Sequence, residues 1–271
     1  MNARELMAEL YRRNRVLAVL GWLHVALLVT MICAAFFDGR TVTGLNPWIK
    51  PSKFAVSIAV YVFTLAWFLR YLSHYRRTVF FISWGTGVVF VGEMICVVSQ
   101  AARGVPSHFN VSTAYDASVF GLMGMLIAFN TLLVLVTLLM FFGRTEPLPP
   151  AYLWGIRLGL LLFFLASIEG VAMVSNMAHT VGTPDGGAGL PVVNWSTRAG
   201  DLRVAHFLGF HALQILPLAG YSFSRWRERD VRRRPVAYTF ALALVYFAAF
   251  SLLFWQAMRG RPLLSLGLIV L

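Results

Sequence analysis

Seven apolar stretches of about 20 residues alternate with short polar breaks along this chain, over 15–37, 53–73, 79–102, 114–142, 151–179, 202–223 and 236–258. Each has roughly the length an α-helix needs to cross the ~30 Å hydrocarbon layer of a bilayer at 1.5 Å per residue. The breaks carry turn and charge signals: Asn46-Pro47, Arg76-Arg77, Gly104-Val105-Pro106, Pro147 to Pro150, the Gly-rich stretch 182–189, and Arg225 to Pro235. The pattern predicts an all-α polytopic membrane protein: seven transmembrane helices in one bundle spanning 1–271. An amphipathic, basic N-terminal segment leads into the first span, and the absence of an A-x-A site argues against a cleaved signal. The apolar tail 260–271 is too short to cross and is expected to lie against the bundle or in the interface.

Composition agrees with lipid as the solvent. Of 271 residues, 59% are hydrophobic and only 13% charged, where soluble domains carry about 25% charged residues. The net charge of +12 does not imply nucleic acid, because the arginines sit between apolar runs. With the N-terminus inside, 15 of the 23 Lys and Arg residues fall on the cytoplasmic side and 8 outside. The positive-inside rule therefore predicts N-in and C-out, in a bacterial cytoplasmic membrane. The run Arg225–Arg234 dominates that count, and headgroup anchoring accounts for it. Cys33 and Cys96 lie in apolar runs with no metal or redox spacing, which reads as structural.

An internal repeat adds organisation. The first copy reads Glu93-x6-Gln100-x2-Arg103, then Asn110-Val-Ser-Thr113, Asp116 and Gly124. The second reads Glu169-x6-Asn176-x2-His179, then Asn194-Trp-Ser-Thr197, Asp201 and Gly209. A weaker echo has Asn46-Pro-Trp48 with Lys53 seven residues after Asn46. These describe two-helix hairpins over spans 3–4 and 5–6, with a fainter one over 1–2, plus a seventh helix. Parallel repeats of this kind occur in transport folds.

The polar residues inside the spans carry the functional reading. Glu93 and Glu169 are expected about 14–17 Å below the outer ends of their helices, with His24 and His211 at a similar level. A carboxylate there costs several kcal/mol unless paired, protonated or wetted. Gln100 and Asn176 follow the glutamates by seven residues and share their helix faces. Asp116 and Asp201 stand at helix starts, where capping is the plainer role. His206 and His211 are about 140° apart on one helix and so do not form a same-face metal pair. His108, His179, Lys50, Lys53, Arg203, Trp48 and Trp195 complete an outer polar stripe; for the tryptophans, interfacial anchoring is the simpler account.

Together these residues describe a cavity open to the non-cytoplasmic side. The leading expectation is a metal ion (Zn, Fe or Cu) or haem in a membrane enzyme or redox protein. His108, His179, His206 and His211 are the candidate metal ligands and His24 with His211 the haem pair. Glu93, Glu169 and Asp116 are the candidate catalytic carboxylates. Asn46, Lys50, Lys53, Gln100, Asn110, Asn176, Asn194, Asp201 and Arg203 would line the cavity and receive a small-molecule or lipid substrate from outside. The alternatives are a proton-coupled small-solute transporter, and an accessory subunit that binds lipid or a partner.

Overall fold

A computed structural model describes residues 2–227 and 234–264. Among these the chain is helical apart from loops and one two-stranded ribbon. Six helices are long and apolar enough to cross a membrane. The centre of the Arg225–Arg234 run and most of the tail 260–271 lie outside the described residues. Packing divides the chain into two compact units, Met1–Pro147 and Leu148–Leu271.

The first unit begins with α1 (Ala3–Arg13), an amphipathic helix closed by an Asn2–Glu5 capping box. Asn14 leaves helical geometry (φ −156°, ψ 99°) and caps α2 (Arg15–Phe37) through Leu17 N–H. Its amide also donates to Ser83 Oγ at 2.7 Å. Thus α1 is separate from the first span. Helix α3 (Ile49–Leu69) starts four residues before the 53 expected. Pro51 lies in its first turn, where the missing N–H costs no helical bond. A six-residue 3₁₀ segment, Arg70–Tyr75, then joins α3 to α4 (Arg76–Arg103), with Leu72 out of helical range at φ −106° and ψ 31°. The whole run Ile49–Arg103 is 55 residues long and makes one of the six candidate spans. Gly104 ends α4 in the left-handed conformation, φ 71°. Helix α5 (Ala114–Met140) opens on Thr113, which accepts from Asp116 N–H.

The second unit contains α6 (Pro150–Asn176), α7 (Leu202–Arg227) and α8 (Pro235–Met258). Met177, at φ 51°, stops α6 three residues short of the expected 179. Between α6 and α7 the chain forms a hydrogen-bonded cap around the antiparallel pair β1 (Thr180–Val181) and β2 (Gly200–Asp201). Small residues let α6 and α7 approach closely. A Cβ on Gly155 would meet Leu216 O at 2.5 Å, and one on Gly159 would meet Ala212 O at 2.8 Å. From the other side, a Cβ on Gly220 would meet Ala151 O at 2.3 Å. This is the small-residue interface that packing without a hydrophobic drive favours in lipid.

Candidate functional site

In the first unit the polar groups form two sets with opposite character. The set in the loops at the α2–α3 and α4–α5 connections is engaged. Asp116 accepts from Arg103 at 2.5 Å, from Gln100 at 2.8 Å and from Thr113 at 2.6 Å. Ser112 is held by Asn110 at 2.7 Å. Asp116 is thus committed to an ion pair and to the start of α5. Nearby, Asn46 donates to Asp38 O at 2.6 Å and Trp48 Nε1 donates to the Asp38 carboxylate at 2.9 Å. The Arg40 guanidinium beside Asp38 holds its carboxyl well below the usual range. His108 sits among Phe54, Phe109 and Phe120, with ring centroids 5.7, 6.0 and 6.3 Å away. Lys50 and Lys53 are half-buried in the first turns of α3.

The set within the helices is unsatisfied. Glu93 is 1% exposed, and neither carboxylate oxygen has a hydrogen-bond partner. Lys50 is the cation whose charge reaches it. Thr86, seven residues earlier on the same face of α4, also has a buried hydroxyl without a partner. His24 is buried in α2, its Nδ1 2.8 Å from Leu20 O and its Nε2 without a well-formed hydrogen bond. The backbone at Phe90, three residues before Glu93, is its neighbour across from α4. Buried polar groups are normally paired, so Thr86 and Glu93 are two exceptions on one face of α4, with His24 of α2 near Phe90. Thr86 was not singled out in the sequence. The seven-residue step that linked Glu93 to Gln100, taken backwards, would have found it.

The second unit brings together two of the expected site residues. His206 Nδ1 lies 2.9 Å from Glu169 Oε2, and Glu169 Oε1 is buried without a partner. Gly170 makes room for the imidazole: a Cβ there would stand 3.2 Å from His206 Cε1. Phe210 covers the ring at 4.1 Å and itself stacks on Phe163 at 4.4 Å. His211 is not part of this pair; its Nδ1 bonds Phe207 O at 2.8 Å, one turn back along α7.

Several expected neighbours are separate. Asn176 is exposed and bonds Ala178 O and Thr180 O rather than sharing an environment with buried Glu169. Glu169 lies only seven residues from the end of α6, about 10 Å at 1.5 Å per residue. Glu93 lies ten from the end of α4, about 15 Å. Glu169 thus stands nearer the end of its own helix than the about 14–17 Å expected, because Met177 ends α6 early. Asp201 accepts from Ser196 N–H at 2.7 Å and pairs with Arg203, whose guanidinium also reaches Asn194 O. Its Oδ1 also accepts from Arg203 N–H at 3.1 Å in the first turn of α7, the capping role weighed for Asp201. His179 is bound to Asp185 at 2.5 Å. Among the described residues, no three His, Cys, Asp or Glu side chains are grouped as a metal ion requires.

The Asp185 carboxylate organises the loop between α6 and α7. It accepts from the His179 and Thr180 N–H groups at 3.0–3.1 Å and from the Thr180 hydroxyl at 2.8 Å. Burial pushes its carboxyl up, but His179 and these donors outweigh burial and hold it well below its ordinary value. A depressed carboxyl stabilises the fold above its unfolded pKa of about 3.9, and that contribution is lost as pH falls through the folded value. Hydrogen-exchange protection at the His179 and Thr180 amides is therefore expected to hold from neutral pH to about pH 4 and to fall below it. Asp185→Asn should lower both protection factors already at neutral pH. Unchanged protection in that variant would show that the loop does not depend on this carboxylate.

No family model matches this sequence, and neither a curated protein nor a solved structure matches it.

Proposed function

We propose that this chain is a proton-coupled carrier of a small solute in a bacterial cytoplasmic membrane, with Glu169 and His206 as its proton-exchanging pair. One observation carries the reading: a carboxylate and an imidazole 2.9 Å apart between two candidate spans, with the second carboxylate oxygen buried and unpartnered. Ionisable residues inside a membrane are costly, and carboxylate–histidine chains are how pumps and carriers pass protons. A proton shared between His206 Nδ1 and Glu169 Oε2 leaves Oε1 as the next acceptor. Glu93, also unpartnered, serves as a second carboxylate in the first unit.

In this proposal the chain crosses seven times, with the N-terminus inside. A single 55-residue helix would be about 80 Å long, against a hydrocarbon layer of ~30 Å. The 3₁₀ segment at Arg70–Tyr75, flanked by Arg76 and Arg77, supports a turn at a membrane surface. The distribution of Lys and Arg supports the orientation, and the repeated Glu–amide–Asp pattern supports paired hairpins of the kind carriers use.

Metal or haem binding is the second reading. The anchoring of Nδ1 in His206 by a carboxylate, and in His24 and His211 by backbone carbonyls, is how proteins orient an imidazole whose Nε2 binds a metal.

Infrared spectroscopy during a pH titration tests the first reading. The carbonyl band of a protonated carboxylic acid should appear and disappear reversibly in the wild type. It should lose one component in Glu169→Gln. A spectrum unaltered by Glu169→Gln refutes the proton site. Stoichiometric metal or a haem spectrum, lost in His206→Ala, favours the second reading.

A further inference from the structure

A cavity of about 400 Å³ lies in the first unit, lined by Glu9, Arg12 and Arg13 of α1, Arg70 and Tyr71 after α3, and Glu146 after α5. It lies at the end of this unit where α2 and α4 begin and α3 and α5 finish, away from the loops that hold Asp38 and Asp116. The proposed proton pair is in the other unit and plays no part in it.

The charges are unequal and partly spent. Three guanidiniums face two carboxylates. Glu9 is shared by Arg13, at 2.6 Å, and Arg12. Glu146 is engaged by Ser73, and its backbone N–H donates to Tyr71 O at 2.9 Å. Arg70 is exposed and forms no ion pair among the described residues. Arg12 is 78% exposed at its side chain although it pairs with Glu9. The cavity thus keeps unneutralised positive charge and N–H donors at its rim.

Its wall is preformed. The Arg13 guanidinium lies 3.7 Å from the centre of the Trp67 ring and 5.3 Å from that of Tyr71, and it donates to Trp67 O at 3.2 Å. Stacking of this kind holds the guanidinium plane in one orientation. The planar fork of N–H donors matches the geometry of phosphate oxygens. The position suits a membrane surface. Trp67 and Tyr71 flank the end of an apolar helix, where interfacial aromatics collect. The amphipathic α1, with Arg12 and Arg13 in its last turn, has the composition of a helix that lies in that plane.

We infer that this cavity binds a phosphate monoanion, and that its source is the headgroup of an anionic phospholipid. Arg70 and Arg12 contact the phosphate oxygens, while Arg13 with Trp67 forms the fixed wall.

Native mass spectrometry of the full chain, with bound phosphatidylglycerol or phosphatidylcholine, tests this. The wild type should retain phosphatidylglycerol in preference to phosphatidylcholine. The double variant Arg12→Gln, Arg70→Gln should weaken that retention about 30-fold, at roughly one interfacial charge per lost guanidinium. Arg12→Lys with Arg70→Lys keeps the charge and should retain the preference, which separates anion binding from a folding defect. Inorganic phosphate or glycerol phosphate at millimolar concentration should not displace the lipid. Displacement by either would make free phosphate the ligand and overturn the assignment to lipid. Equal retention of the two lipids by the wild type, or equal retention of phosphatidylglycerol by wild type and Gln variant, overturns the site.

Discussion

Gly155→Leu is expected to lower the melting temperature of the detergent-solubilised protein by about 6–12 °C, a loss of about 3 kcal/mol. A leucine has higher helix propensity than glycine by up to about 1 kcal/mol, so the sign depends on packing. The first side-chain atom alone would stand 2.5 Å from Leu216 O and 2.8 Å from Pro217 Cα. Both are backbone atoms, which cannot rotate away. The helices must part, and the close approach at Gly159 and Gly220 is lost with them. Interiors packed to this density do not absorb such a shift locally. Gly121→Leu in α5 is the matched control, because nothing lies within 4 Å of a Cβ there. A melting temperature that falls equally in both variants would show that the α6–α7 interface is not the cause.

Glu93→Leu should act in the opposite direction. Both carboxylate oxygens of Glu93 are buried without a hydrogen bond. Burying an unpaired polar group costs about 1–3 kcal/mol by mutational measures, and an unpaired charge costs more. Removing the group also adds apolar contact. The variant is therefore expected to be more stable by about 2 kcal/mol, some 4–8 °C in melting temperature. Glu93→Gln should gain much less, because the amide inherits the same unsatisfied surroundings. A stabilised Glu93→Leu protein that no longer exchanges protons would show a residue kept for activity at a cost in stability. A loss of stability instead would mean that Lys50 supplies a pairing strong enough to offset the burial.

The apolar helices were legible because lipid imposes one simple rule: about 20 apolar residues per crossing. The residues 15–37 of the first span recur unchanged in α2. Boundaries moved where a backbone detail decides them. The second span was expected from 53, yet α3 starts at Ile49 with Pro51 in its first turn, and Met177 adopts the left-handed conformation that glycine usually takes. The separation of α1 from α2 turned on the side chain of Asn14, which bonds Ser83, 69 positions away.

The site was partly legible. Helical geometry already excluded His206 and His211 from a single face, and the two rings do have different partners. Which of them meets Glu169 could not be read, because 37 residues separate the pair and the packing of α6 on α7 sets the answer. Asp201 took the capping role that its position suggested, accepting from Arg203 N–H, whereas at the start of α5 the cap is Thr113 and Asp116 is its donor. Asp38 and Asp185 were missed, since their importance lies in loop partners that no periodicity marks.

In the proposed carrier, Glu169 exchanges a proton within the membrane. A pH step applied to proteoliposomes on a solid-supported membrane tests it most directly. The wild type should displace charge with each step, and Glu169→Gln should abolish the signal while keeping its fold and reconstitution. Equal charge displacement from the two proteins would show that Glu169 is not the proton-exchanging group.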